Sequence, residues 1–225
     1  MDITIETPAP TPRTLLRSLP SIPGPAWPLR AETAPDLPQD MFWQWLQFAV
    51  ESGVPEPHAM TLSTVDAEGF PDARFLILKD LDARGWHFAT DAQSPKGRQL
   101  AQQPRLALTF YWPKLGRQVR IRGTAARLDS EAGRADFLAR SPSSRATALL
   151  GRQGQPLDSL TQFEDRLAAT LSALQIVPDT YAPHWSVYAV APETVEFWQG
   201  DRDRRHRRLL YTRQPDGWQH QMLWP

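Results

Sequence analysis

No cysteine occurs among the 225 residues. Its absence excludes disulfides, thiolate nucleophiles and cysteine-ligated metals, and it fits a reducing cytoplasm. Net charge is missing too, because 25 Lys+Arg balance 25 Asp+Glu. A nucleic-acid module is expected to be clearly basic, so that class is disfavoured. No window approaches the roughly 18 uninterrupted apolar residues of a membrane span. No basic start followed by an apolar run marks a secretory signal. The five histidines, His58, His87, His184, His206 and His220, show no pair at metal-ligand spacing, so no metal site is expected. Internal repeats are absent, as are glycine-rich phosphate loops of the Rossmann or P-loop type.

What is present starts with a hydrophobic content of 41%, enough for a core in one large domain or two small ones. Residues 1–38 hold nine of the 22 prolines and almost no periodicity. They read as an extended or disordered segment, leaving 39–225 as the folded domain. In 39–51, Met41, Phe42, Trp45, Leu46 and Ala49 recur at helical steps, and Gly53 stops the helix. Strands follow at 59–65, 72–79 and 86–90, joined by turns at 66–69 and 80–85. Ser94-Pro95 opens a short helix to about Gln103, with serine as cap and proline at the first position. A hairpin spans 105–112 and 117–128. Gln118, Arg120 and Arg122 share one face of its second strand, and Val119 and Ile121 the other. Helices are expected at 130–140, 144–150 and 158–174. Two last hairpins run from Trp185 to Pro225, with turns near Ala191-Pro192, at 200–203 and at 215–217. Short strands with tight turns predict an antiparallel barrel with peripheral helices rather than a parallel sheet.

Chemistry concentrates in a few places. Phe197-Trp198-Gln199-Gly200 precedes a run with five arginines and His206 in residues 202–208. Arginine forks match phosphate and carboxylate, and the aromatic pair offers a flat surface for a ring. Together they suggest a planar, phosphorylated ligand; a solvated basic hairpin explains the charge alone. Thr90, Ser94 and Lys96 gather at a helix N-terminus, which favours phosphate. Arg74 and Lys79 sit on one strand, on opposite faces if it is regular. Gln118 can meet the N–H and C=O edge of a heterocycle. Arg140, Ser144 and Arg145 form a second candidate anion site where two helices meet.

The segments Arg74-Phe75-Leu76-Ile77-Leu78-Lys79, 85–90, 94–96, Arg117-Gln118-Val119 and Glu196-Phe197-Trp198-Gln199-Gly200, with Arg204, His206 and Arg208 behind, resemble the pyridoxamine 5′-phosphate oxidase family. Phenazine-biosynthesis flavin oxidases are relatives on the same scaffold. The resemblance runs from about residue 40 to the C-terminus. It implies an FMN-binding split β-barrel, Greek-key-like and mainly β with α, acting as a homodimer with FMN between subunits. Carried over by position, Arg74, Ser94 and Lys96 hold or flank the FMN phosphate, and Ala89 and Thr90 touch the cofactor. Gln118, Gln153, Trp198 and Arg208 complete that site, with Lys79 flanking it. Lys79, Arg140 and Ser144 then hold a substrate phosphate, and Arg204 and His206 are the catalytic pair over the substrate ring. The implied reaction is hydride transfer from C4′ of pyridoxamine or pyridoxine 5′-phosphate to FMN. O2 then reoxidises the flavin, giving H2O2 and pyridoxal 5′-phosphate.

Three departures stand out. Pro95 replaces a basic residue of the family's phosphate site. Asp136 stands where the family has a tyrosine against substrate phosphate, and a carboxylate there repels an anion. The N-terminal segment lacks the family's arginine-rich arm, and the chain ends Leu223-Trp224-Pro225. An aromatic-acid flavin oxidase of the phenazine type is therefore a rival reading, and a non-enzymatic flavin-binding protein another.

Overall fold

A computed structural model describes residues 12–19 and 29–225. The expectation for residues 1–38 therefore lies partly outside the described residues. Within them, helix α1 covers Pro12–Ser18. Residues 29–37 are tied down rather than free: Leu29 is buried, its carbonyl accepts from Arg207 (3.1 Å), and Pro35 C=O accepts from Tyr211 Oη (2.8 Å).

Helix α2 (Pro38–Glu51) starts with proline at its first turn and buries Met41, Phe42, Trp45, Leu46 and Ala49. Phe42 meets Trp86 and Phe110 at 5.4 and 4.8 Å between centroids, and Trp45 meets Phe197 at 5.2 Å. The helix thus plugs the strand core with aromatic edges.

Nine strands form one antiparallel sheet. They are β1 (Ala59–Val65), β2 (Pro71–Ile77), β3 (Asp80–Asp82), β4 (Gly85–Asp91), β5 (Arg105–Trp112), β6 (Arg117–Arg127), β7 (Trp185–Gln199), β8 (Arg207–Gln214) and β9 (Gly217–Leu223). The main path runs β2-β1-β5-β6-β7-β4-β3, with β8 and β9 branching from β7. Its two end strands are consecutive in the chain, so the sheet curls round until Leu78 and Lys79 join them. Leu78 N–H bonds His58 C=O (2.9 Å) and Lys79 N–H bonds His87 C=O (2.8 Å). Inside lie Met60, Leu62, Phe88, Leu108, Phe110, Val119, Ile121 and Val190, all fully buried. The result is the expected split barrel.

Two expectations need correction. The region 80–85 is not all turn, since Asp80–Asp82 pairs with Gly85–His87 as a short strand. No turn falls at Ala191-Pro192 either. Strand β7 runs on through it, pairing β4 over 185–190 and β8 over 194–199. The register against β6 shifts between Arg122 and Gly123, which makes this point a bulge. A bulge tolerates a proline without N–H. Gly123 is required opposite it, because an added Cβ would sit 2.2 Å from Ala191 O.

The outer helices are α3 (Pro95–Gln102), α4 (Ser130–Leu138), α5 (Pro142–Leu149) and α6 (Leu160–Ile176). Ser94, Asp129, Ser141 and Ser159 cap them by accepting a backbone N–H. Helix α4 lies on the start of β7, where Gly133 packs against Trp185 C=O and Phe137 meets the Trp185 ring. No helix among the described residues is long and apolar enough to cross a membrane.

Candidate active site

Three groups of side chains carry the site chemistry. The first lies at the N-terminus of α3. Ser94 Oγ accepts from Gly97 N–H (3.2 Å) and from Lys96 Nζ (3.4 Å), and donates to Asp91 C=O (2.7 Å). Lys96 is 6% exposed and makes no ion pair among the described residues. Burial, and then the neighbouring Arg74, hold its pKa below the ordinary lysine value. Arg74 is held by Thr64 Oγ1 (2.5 Å), Gln99 Oε1 (3.3 Å) and an ion pair to Asp72. A buried ammonium beside a guanidinium at a helix N-terminus fits a phosphate, which would supply the missing negative charge. Pro95 takes the first helical position and packs its ring toward Gly154, where an added Cβ would lie 2.6 Å from it.

The second group lines a neighbouring cleft of about 500 Å³. Its walls include Lys79, Ala89, Thr90, Arg140, Ser144 and Gln153, drawn from the barrel join, β4, α5 and the loops around that helix. The sequence reading divided these six, giving Ala89, Thr90 and Gln153 to the flavin, Arg140 and Ser144 to a substrate phosphate, and Lys79 to both; the structure brings them to one cleft. That reading passed over Trp185, which forms another wall. Arg140 lies with its guanidinium 3.9 Å from the Trp185 ring centroid, and its Nη1 is buried without a hydrogen-bond partner. Burial lowers its pKa, and Asp136 opposes that shift. Asp136 is not part of the wall. It sits behind, bonded to Lys79 Nζ (3.3 Å) and Trp185 Nε1 (2.7 Å). A second cleft of about 340 Å³ adjoins the first, sharing Arg140, Gln153 and Trp185.

The third group lies at the far end of β7. Gln118 pairs in register with Trp198, and Trp198 with Arg208. Arg208 Nε donates to Glu196 Oε1 (2.8 Å), which raises its pKa, and the other Glu196 oxygen accepts from Arg120 (2.8 Å). Glu196 is 5% exposed. His206 stacks near Trp198 at 4.9 Å, and its Nδ1 accepts Asp201 N–H (3.1 Å). That bond requires a lone pair on Nδ1, so a neutral ring carries its proton on Nε2. Arg204 has φ of 63°, left-handed for a non-glycine residue, with its N–H bonded to Asp201 C=O (3.2 Å).

The arginine run does not converge on one ligand. Arg205 pairs with Asp203, Arg207 reaches Leu29 C=O, and only Arg208 is fixed beside Trp198 by a buried carboxylate. Along β7 the third group is twelve residues from the first two, since Thr90 pairs with Ser186 and Gln118 with Trp198. Neither cleft reaches Gln118, Trp198, Arg204, His206 or Arg208.

One cluster was not foreseen. Asp80, Asp82 and His87 bring three potential ligand atoms within 4.8 Å on the β3–β4 hairpin. The Asp82 carboxylate is taken by Arg84 and His87, and mainly the Arg84 bond pulls its pKa down to about 2.

Residues 46–173 match the family described as Pyridoxamine 5′-phosphate oxidase, and residues 185–225 match the Pyridoxine 5′-phosphate oxidase C-terminal dimerisation region. A pyridoxine/pyridoxamine 5′-phosphate oxidase of Thermosynechococcus vestitus is 43% identical over 198 residues, covering 88% of this chain and 92% of that protein. One of Caulobacter vibrioides is 39% identical over 217 residues, covering 94% and 98%. Among solved structures, PhzG from Burkholderia lata 383, in complex with tetrahydrophenazine-1-carboxylic acid, has a TM-score of 0.84 at 28% identity, covering 90% of this chain and all of that one. A pyridoxamine 5′-phosphate oxidase-related, FMN binding protein from Nostoc punctiforme shares the fold, with a TM-score of 0.66 at 20% identity, covering 84% and 98%. The family match and the relatives it is similar to define a flavin-dependent oxidase. The chain belongs to the pyridoxamine 5′-phosphate oxidase family.

Proposed function

We propose that this enzyme oxidises pyridoxamine and pyridoxine 5′-phosphate to pyridoxal 5′-phosphate, using FMN, in a homodimer whose two-fold contact completes each site. The observation that carries the reading is the adjacency of two cationic anion sites. Arg74, Ser94 and Lys96 hold one phosphate, and Lys79, Arg140 and Ser144 lie one cleft away for a second. A phosphorylated cofactor beside a phosphorylated substrate needs that pairing. When bound, FMN supplies the two-electron acceptor for the hydride leaving C4′, and O2 restores it with release of H2O2.

The protein's part is positioning and electrostatics. Arg74 and Lys96 neutralise the cofactor phosphate, and the first-turn N–H groups of α3 extend that field. Arg208, held straight by Glu196, offers its remaining donors beside Trp198 and Gln118. Arg204 orients the substrate and stabilises charge as it develops. His206, with Nδ1 occupied by Asp201 N–H, presents Nε2–H as a hydrogen-bond donor to the substrate. The gap between the third group and the other two is what a second copy fills. The C-terminal dimerisation region, which holds Trp198, Arg204, His206 and Arg208, supports that arrangement.

A second reading has one observation in its favour. Asp136 engages Lys79, which lowers the cleft's positive charge and suits an aromatic carboxylic acid better than a phosphate ester. The two readings separate on purified protein. It is expected to be yellow and to release H2O2 with pyridoxine 5′-phosphate. Release only with aromatic acids supports the second reading, and colourless protein that takes up no FMN refutes both.

A further inference from the structure

Two cations reach the cleft wall, Lys79 and Arg140, and no other residue of that wall is charged. Behind them Asp136 touches the machinery of both. Its Oδ1 lies 3.3 Å from the Lys79 ammonium. Its Oδ2 accepts the Trp185 indole N–H at 2.7 Å, and the Arg140 guanidinium stacks on that same indole at 3.9 Å. The Asp136 side chain is 16% exposed, so solvent screens these interactions weakly. Adding the charges, two cations and one carboxylate leave the end of the cleft with a net charge of plus one. A phosphate monoester is close to a dianion above its second pKa of about 6. One of its charges is then unmatched, whereas a carboxylate is matched in full.

We propose that Asp136 is a specificity-determining residue that sets the charge preference of this cleft. By holding the Lys79 ammonium from behind it shifts selectivity away from dianionic ligands and toward monoanionic ones, without itself touching the ligand. This rests on the reading of the cleft as the substrate's anion site. It explains how a carboxylate is accommodated at a position facing an anion pocket: the charge is turned onto a lysine and an indole.

The test uses flavin-loaded protein, so that the Arg74–Lys96 site is filled. Calorimetry at pH 8 gives dissociation constants for phenyl phosphate, a dianion, and benzoate, a monoanion. Asp136→Asn keeps an acceptor for the Trp185 N–H and loses the charge. It is expected to raise the phenyl phosphate to benzoate affinity ratio by about tenfold. Asp136→Glu keeps the charge and is expected to leave the ratio within about twofold of wild type. In a Lys79→Met background the gain from Asp136→Asn should shrink to about threefold or less, because the carboxylate then acts only on Arg140 and on the ligand itself. The proposal is overturned if the ratio is unmoved by Asp136→Asn, if Asp136→Glu moves it equally, if the gain is undiminished without Lys79, or if Asp136→Asn binds no phenyl phosphate. Failure of wild-type protein to release H2O2 from pyridoxine 5′-phosphate would instead sink the proposed reaction, while the affinity ratio would still read Asp136.

Discussion

The two ends of β7 solve the problem of anion binding differently. Near Ser186, two cations are short of partners: the buried Lys96 has no ion pair among the described residues, and the half-buried Arg140 has no acceptor at Nη1. Near Trp198, Arg208 is already bonded to the buried Glu196, and Arg204 is exposed on a left-handed turn. The first end is a preformed cradle that waits for charge. The second is a braced arm that needs something to press against. On the proposed function, the contrast teaches that a chain can carry every group of a site and still hold only half of it in one place.

The largest effect expected from breaking this contrast is all-or-none. Arg74→Ala and Arg208→Ala should each abolish flavin retention. Refolding the two together should restore about a quarter of the wild-type bound flavin, because half the dimers are mixed and each has one intact site. No recovery would mean that both ends serve one chain. Next, Lys96→Met should weaken FMN binding by about 10–100-fold, the worth of one charge-assisted hydrogen bond, in a fluorescence titration. Arg204→Ala should leave that titration nearly unmoved and lower turnover by about 100-fold, as measured by peroxide release. Glu196→Gln should act through Arg208 and weaken FMN binding by only about three- to tenfold.

The smallest effect is a pH dependence of the cradle. The folded pKa of Lys96 lies below its unfolded value of 10.5, so the unfolded chain holds more protons between the two. Stability of the flavin-free protein should therefore rise as pH climbs through the folded pKa toward 10.5. Lys96→Met should remove that rise in thermal melts.

Much of this was legible in the sequence. Ser94-Pro95 announces a capped helix start, and the alternation of Gln118, Val119, Arg120 and Ile121 announces a strand with one buried face. Six of the candidate residues fell into one cleft because the barrel join, β4 and the segment around α5 meet there. What escaped depended on distant pairing. The bulge at Ala191–Glu193 is set by Gly123, some seventy residues upstream, whereas a proline in isolation reads as a turn. Thr64 and Gln99 hold Arg74 from β1 and α3, and nothing local marks them. Glu196 was visible within its motif, but its role needed the register of β7 against β8. Asp136 read as repulsion, because its partners Lys79 and Trp185 are distant from it in the chain, one upstream and one downstream.

Lys79 also has a second job, in its backbone. The amide that closes the barrel onto His87 and the ammonium that faces the cleft belong to one residue, at the two-residue seam between β2 and β3. An anion drawn to that ammonium therefore acts as a latch on the whole cylinder. Occupancy of the cleft should be felt as slower amide exchange at the seam.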